Sequence, residues 1–116
     1  MTDHLTFDFI ADPGHGWLVL TPEHRAALTL SSDDFTDFSY VDPQTGTIYA
    51  EEDCDAAVVL AAHIRTFGCH PTINEKHTVH DAHCRRLPRL EGVAPKWREA
   101  HAYLSRDAYL RVHDEA

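Results

Sequence analysis

Six side chains able to ligate a metal crowd one part of this sequence: Cys69-His70 and His77-x2-His80-x2-His83-Cys84. Zinc favours four nitrogen and sulfur donors of this type. An extended segment followed by a loop could turn His77, His80, His83 and Cys84 toward one point, and these four are the candidate zinc ligands. Their spacing matches no finger or knuckle, and no CxxC pair anchors it. Solvated histidines that titrate near neutral pH are the commoner outcome for such a run. Cys84 with His80 or His83 also supplies a nucleophile and a base. No oxyanion element or phosphate loop accompanies them, so the chain reads as a non-enzyme.

Other reactive groups lie elsewhere. Cys54 sits where a helix begins, which lowers a thiol pKa, but four carboxylates surround it and raise it. The carboxylates are expected to win, leaving a small buried thiol. Glu51, Glu52, Asp53 and Asp55 could hold a divalent cation, yet they lack the spaced oxygens and the glycine of a calcium loop. His63 falls on an apolar helical face and reads as a partly buried histidine with one hydrogen bond. His15, between two glycines, could expose backbone N–H groups to an anion; a plain turn is the favoured reading.

The elements that must position these groups centre on Thr45–Gly68. Thr47–Ala50 is β-branched and aromatic, as a half-buried strand requires. Asp53 or Asp55 is placed to cap the helix that follows. From Ala56 the apolar period becomes helical, with Val59, Leu60, Ile64 and Phe67 on one face, and Gly68 closes the helix. Before this stretch, Thr6–Ile10 and Trp17–Leu20 read as strands joined by the turn Asp12–Gly16. Thr21-Pro22-Glu23 opens a short helix over Pro22–Leu28. Ser31–Asp37 is a polar loop. Phe38–Val41 pairs with Thr47–Ala50 across a five-residue loop. After Gly68, Thr72–Val79 alternates imperfectly and reads as an edge strand. His80–Pro95 reads as a loop, and Pro95 opens a final helix through Val112. The expected fold is α+β over residues 1–116 as one domain. It has a mainly antiparallel sheet of four to five strands, the Ala56–Phe67 helix packed on it, and a peripheral C-terminal helix over 95–112.

Charge is unevenly spread. Residues 1–60 hold twelve acids and one base, whereas residues 61–116 hold nine bases and seven acids. An acidic face can steer toward a basic protein partner, with Asp33, Asp34, Asp37, Glu51 and Glu52 as the candidate contacts. The same charge disfavours direct nucleic-acid binding. No apolar run is long enough to span a membrane, and the start has no secretory pattern. Three unpaired cysteines fit a reducing cytoplasm.

Two motifs, DPGHGW at 12–17 and IYAEEDCDA at 48–56, resemble a family of small proteins of unassigned function encoded by bacteriophages, prophages and plasmids. Phe38-Ser-Tyr-Val stands where that family has a tyrosine-containing strand, and Arg86-x-Pro88-Arg89 is similar to its late Arg/Pro segment. Ala50, the extra histidines and the added C-terminal helix depart from the pattern. The resemblance implies a mobile-element setting in a bacterial host and transfers no catalytic residue. With the charge pattern it leads to an expected function. The chain would be a non-enzymatic accessory protein that binds a host or phage protein and inhibits a defence or nucleic-acid-handling complex. A small zinc-binding domain is the alternative, and otherwise no cofactor is expected.

Overall fold

The computed structural model describes residues 4–91 and 96–105. Five strands form one sheet: β1 (Thr6–Ala11), β2 (Gly16–Leu20), β3 (Tyr40–Val41), β4 (Ile48–Glu51) and β5 (Thr72–His77). Their order is β3-β4-β2-β1-β5, antiparallel throughout except for the parallel β1–β5 pair. Three helices accompany them: α1 (Pro22–Leu28), α2 (Ala56–Phe67) and α3 (Lys96–Leu104). The α+β class and the mainly antiparallel sheet therefore stand. Because β4 and β5 run the same way with two strands between them, their connection must cross the sheet, and α2 makes that crossing.

The period-2 alternation of β2 and β4 divides the interior. Leu18, Leu20, Ile48 and Ala50 join the cluster that also contains Val59, Ala57 and Ala61 of α2, with Phe7 and Phe35. Trp17 and Tyr49, the alternate residues, belong to a second cluster with Tyr40, Ala82 and Cys84. The sheet is thus covered on both faces, by helices on one and by the segment around a 3-10 turn at His83–Arg86 on the other. Every residue of β5 is exposed, so it is the edge strand expected, ending at His77.

Several local readings need correcting. Asp55 is the residue before α2, but its side chain makes no capping bond to the helix. Its carboxylate turns to the loop instead, as described below. His63 is wholly buried and uses both ring nitrogens. Nε2 accepts from the Leu5 N–H at 2.9 Å, so Nδ1 carries the proton and donates to the Cys69 carbonyl at 2.8 Å. A neutral imidazole therefore ties the start of β1 to the exit of α2. The polar loop 31–37 contains a 3-10 turn at Ser32–Asp34 and buries Phe35 completely. Strand β3 is shorter than expected, and Phe38 lies outside it, half-exposed. Helix α3 packs on α2 through buried Ala100 and through Arg65, whose guanidinium lies 4.0 Å from the Tyr103 ring centre. Of the helix expected over 95–112, Pro95 and residues 106–112 lie outside the described residues, and Ser105 follows the end of α3.

Candidate functional site

Asp12 organises the first wall of a surface cleft. Its Oδ1 accepts from the Gly14 and His15 N–H groups, both at 2.9 Å, which makes 12–15 a plain Asx turn. The same carboxylate reaches residues seventy positions away. Oδ2 accepts from the Ala82 N–H at 2.9 Å and from Arg85 Nε at 2.6 Å, and Oδ1 from Arg85 Nη2 at 2.9 Å. The Asp12 side chain has no solvent contact. The bidentate guanidinium holds its carboxyl far below the ordinary carboxylate range despite that burial. Arg85 in turn lies over the Trp17 ring, 4.8 Å from its centre. Gly14 lacks a side chain for good reason: a Cβ there would sit 2.9 Å from Arg85 Nη2. At Gly16 a Cβ would sit 2.3 Å from Phe9 Cζ.

The second wall comes from the end of β4. Trp17 pairs with Glu51 across β2 and β4, and the Glu52 N–H donates to the Gly16 carbonyl at 3.0 Å. This register brings His15 beside the acidic run. His15 Nδ1 lies 3.5 Å from Glu51 Oε1, and Glu51 Oε2 accepts from the Asp53 N–H at 3.0 Å. The Glu51 side chain is only 10 % exposed. Burial pushes its pKa up, the Asp53 charge adds to this, and the Asp53 N–H, His15 and the Cys54 thiol oppose it. Burial and the neighbouring carboxylates push the Cys54 thiol up to about 11.

The third wall depends on Asp55. Its Oδ2 accepts from the Thr36 N–H at 2.9 Å, from Thr36 Oγ1 at 2.7 Å and from Ser39 Oγ at 2.5 Å. Ser39 Oγ accepts in turn from the Glu51 N–H at 3.0 Å. Asp55 thus fixes the segment that presents Phe38 and Tyr40. A fourth segment closes the ring. The Leu90 N–H donates to the Ser39 carbonyl at 3.0 Å, and Arg89 donates to the Asp37 carbonyl at 3.1 Å while its guanidinium lies 5.2 Å from the Tyr40 ring centre.

These walls enclose a cleft of about 460 Å3 lined by His15, Trp17, Phe38, Tyr40, Glu51, Asp53, Cys54, Arg85 and Arg89. All four segments that carry the motif resemblance, or adjoin it, meet there. Aromatic rings, carboxylates and guanidiniums all line it. Such a cleft can bind a polar or charged group; a thiol with a pKa near 11 is a poor nucleophile.

The structure places the predicted site residues as follows. His77 and His80 are exposed, His83 is exposed and bonded to the Tyr49 hydroxyl at 3.2 Å, and Cys84 is wholly buried with its thiol pushed up to about 11, chiefly by burial. Among the described residues, the candidate zinc ligands His77, His80, His83 and Cys84 do not come together; the group that does is His15, Glu52 and Asp53, whose donor atoms all lie within 4.8 Å of one another. Asp33, Asp37 and Glu52 are exposed. Asp34 is tied to Lys96 at 2.6 Å and caps the Ser31 N–H at 2.8 Å, and Glu51 is a wall of the cleft with little outward surface.

Sequence reading missed Asp12 and Arg85 as a pair, and His15 as a neighbour of the acidic run. Asp before Pro-Gly signals an Asx turn, but nothing local announces a partner at Arg85. Among the described residues no helix is long and apolar enough to cross a membrane. Compared with protein-family models, curated proteins and solved structures, the chain matches none.

Proposed function

We propose that this chain is a non-enzymatic accessory protein that works by binding a protein partner at the cleft and its acidic rim. The observation that carries this reading is the convergence of four separated segments on one aromatic-floored cleft. Half-exposed Phe38 lines the cleft, exposed Asp33 and Asp37 precede it in the chain, and exposed Glu52 lies between the lining residues Glu51 and Asp53. An exposed aromatic beside a charged rim is the composition of a binding hot spot. The rim would select a basic partner and speed encounter. Both cleft-side and interior thiols, Cys54 and Cys84, are held protonated near neutral pH, which supports binding over nucleophilic chemistry. A setting in bacteriophages or other mobile elements, action in the host cytoplasm and inhibition of a defence or nucleic-acid-handling complex extend this proposal. They rest on the motif resemblance and the cysteine pattern. Direct nucleic-acid contact is not part of it, because the rim is acidic.

Affinity capture from bacterial lysate tests the reading. Wild type is compared with a variant carrying Asp33→Lys, Asp37→Lys and Glu52→Lys, all exposed positions. A discrete partner retained by wild type and lost by the variant, at unchanged urea midpoint, is expected. Identical recovery by both proteins, or no partner at all, contradicts it.

A further inference from the structure

We propose that His15, Glu52 and Asp53 bind a divalent transition-metal ion at the edge of the cleft, and that this ion together with Arg89 holds an anionic oxygen ligand of phosphate type. This goes beyond the partner-binding reading and does not depend on it.

Three observations meet here. The first is the donor set, one imidazole nitrogen and two carboxylate oxygens within 4.8 Å of one another. Two donors on one ion at about 2.1 Å each lie about 3–4 Å apart, so small side-chain rotations close the set. Mixed nitrogen and carboxylate donors suit Mn2+, Co2+ or Zn2+ better than calcium, which takes oxygen ligands. Three protein ligands leave coordination positions open.

The second observation is an orphaned donor on a residue that lines the same cleft. Trp17 is 2 % exposed, and its buried Nε1–H has no acceptor among the described residues. Buried donors are normally paired, and among the described residues this one is not. The third is Arg89. Arg85 is neutralised by Asp12, whereas among the described residues Arg89 donates to neutral oxygens, the Asp37 carbonyl and the Tyr40 hydroxyl. Among the described residues no carboxylate comes within ion-pair distance of it. A cleft lined by His15 and Asp53 and also by a guanidinium with no carboxylate partner fits an anion held by both.

Calorimetry on untagged protein tests this, with MnCl2 and ZnCl2 as metal probes and inorganic phosphate added to the Mn2+-loaded protein. One equivalent of metal is expected. His15→Ala and Asp53→Asn, both at exposed positions, should each weaken it at least about tenfold at an unchanged urea midpoint. Arg89→Gln should leave metal affinity intact and weaken phosphate at least about tenfold. Phosphate should not bind without metal. Absence of stoichiometric metal binding, or metal binding unaltered in His15→Ala and Asp53→Asn, overturns the site. Phosphate binding indifferent to metal or to Arg89→Gln overturns its anion half.

Discussion

Removing the Asp12 carboxylate should loosen two distant segments at once. In Asp12→Ala, five hydrogen bonds are lost: those from the Gly14, His15 and Ala82 N–H groups and two from Arg85. Gly14 and His15 are exposed, so water replaces their bonds at little cost. Ala82 is buried, and the Arg85 side chain is 29 % exposed. Removing one partner of a buried ion pair costs about 3–5 kcal/mol. Partial exposure of Arg85 lowers the expectation to about 2–4 kcal/mol. Arg85→Ala should cost a similar amount, because it strands a solvent-free carboxylate and uncovers Trp17. The two losses share one cause, so the double variant should fall short of their sum by about 1–3 kcal/mol. Urea denaturation of all four proteins at pH 7.5 measures this. The Asp12 carboxyl is held far below its ordinary 3.8, so its stabilisation is present above that pH and fades only as pH falls below it. The Asp12→Ala deficit should therefore stay constant from pH 8 down to about pH 4. A deficit under about 0.5 kcal/mol, or additive single losses, would refute the linkage between the turn and the 82–86 segment.

Burial holds the His63 and His24 pKa values below the ordinary 6.5. The unfolded chain then binds more protons as pH falls through 6.5, and stability should drop by up to about 1.4 kcal/mol per pH unit for each. Glu51, raised by burial, works the other way above 4.5, where the folded chain binds the extra proton. A urea midpoint that falls between pH 7.5 and 5.5, and falls less in His63→Gln, is expected; the same pH dependence in both proteins contradicts the neutral His63 brace. Two helix ends should respond oppositely to substitution. Gly68 caps α2 at φ 75° and Thr29 caps α1 at φ 55°. Gly68→Ala should lower, and Thr29→Gly raise, stability by about 1 kcal/mol each in the same melts. Cys54, with its thiol at about 11 against an ordinary 9.0, should alkylate about tenfold more slowly than an unshifted cysteine at pH 7.5, the smaller thiolate fraction being partly offset by a more basic thiolate. Ordinary iodoacetamide kinetics at that residue would count against the acidic surroundings described.

The elements were legible in the sequence because their signals are local. Periodicity placed α2 to the residue, Thr21-Pro22 placed α1, alternation placed β1, and the apolar run after the Asp12–Gly16 turn placed β2. The site was legible only in pieces. The acidic run and the DPGHGW turn each stood out, but their meeting depends on the Trp17–Glu51 register, which pairs residues far apart in the chain. Asp55 looked like a helix cap because acids suit helix N-termini. Three donors from Thr36 and Ser39 satisfy one of its oxygens better than the helix could, and no local pattern reveals them. The histidine run His77–His83 drew attention by density alone. Its backbone passes from an edge strand into a 3-10 turn, so successive side chains point apart: His83 outward and Cys84 into the second core. Phe35 was hidden inside a polar stretch whose 3-10 turn swings it inward.

The cleft's role is tested most directly by placing a photo-crosslinking amino acid at position 38, where the native Phe38 is half-exposed on its lining. Irradiation in bacterial cells should yield one discrete protein adduct, and Glu52→Lys with Asp37→Lys should abolish it. No adduct, or one of the same strength in the reversed variant, would contradict a partner seated at this cleft.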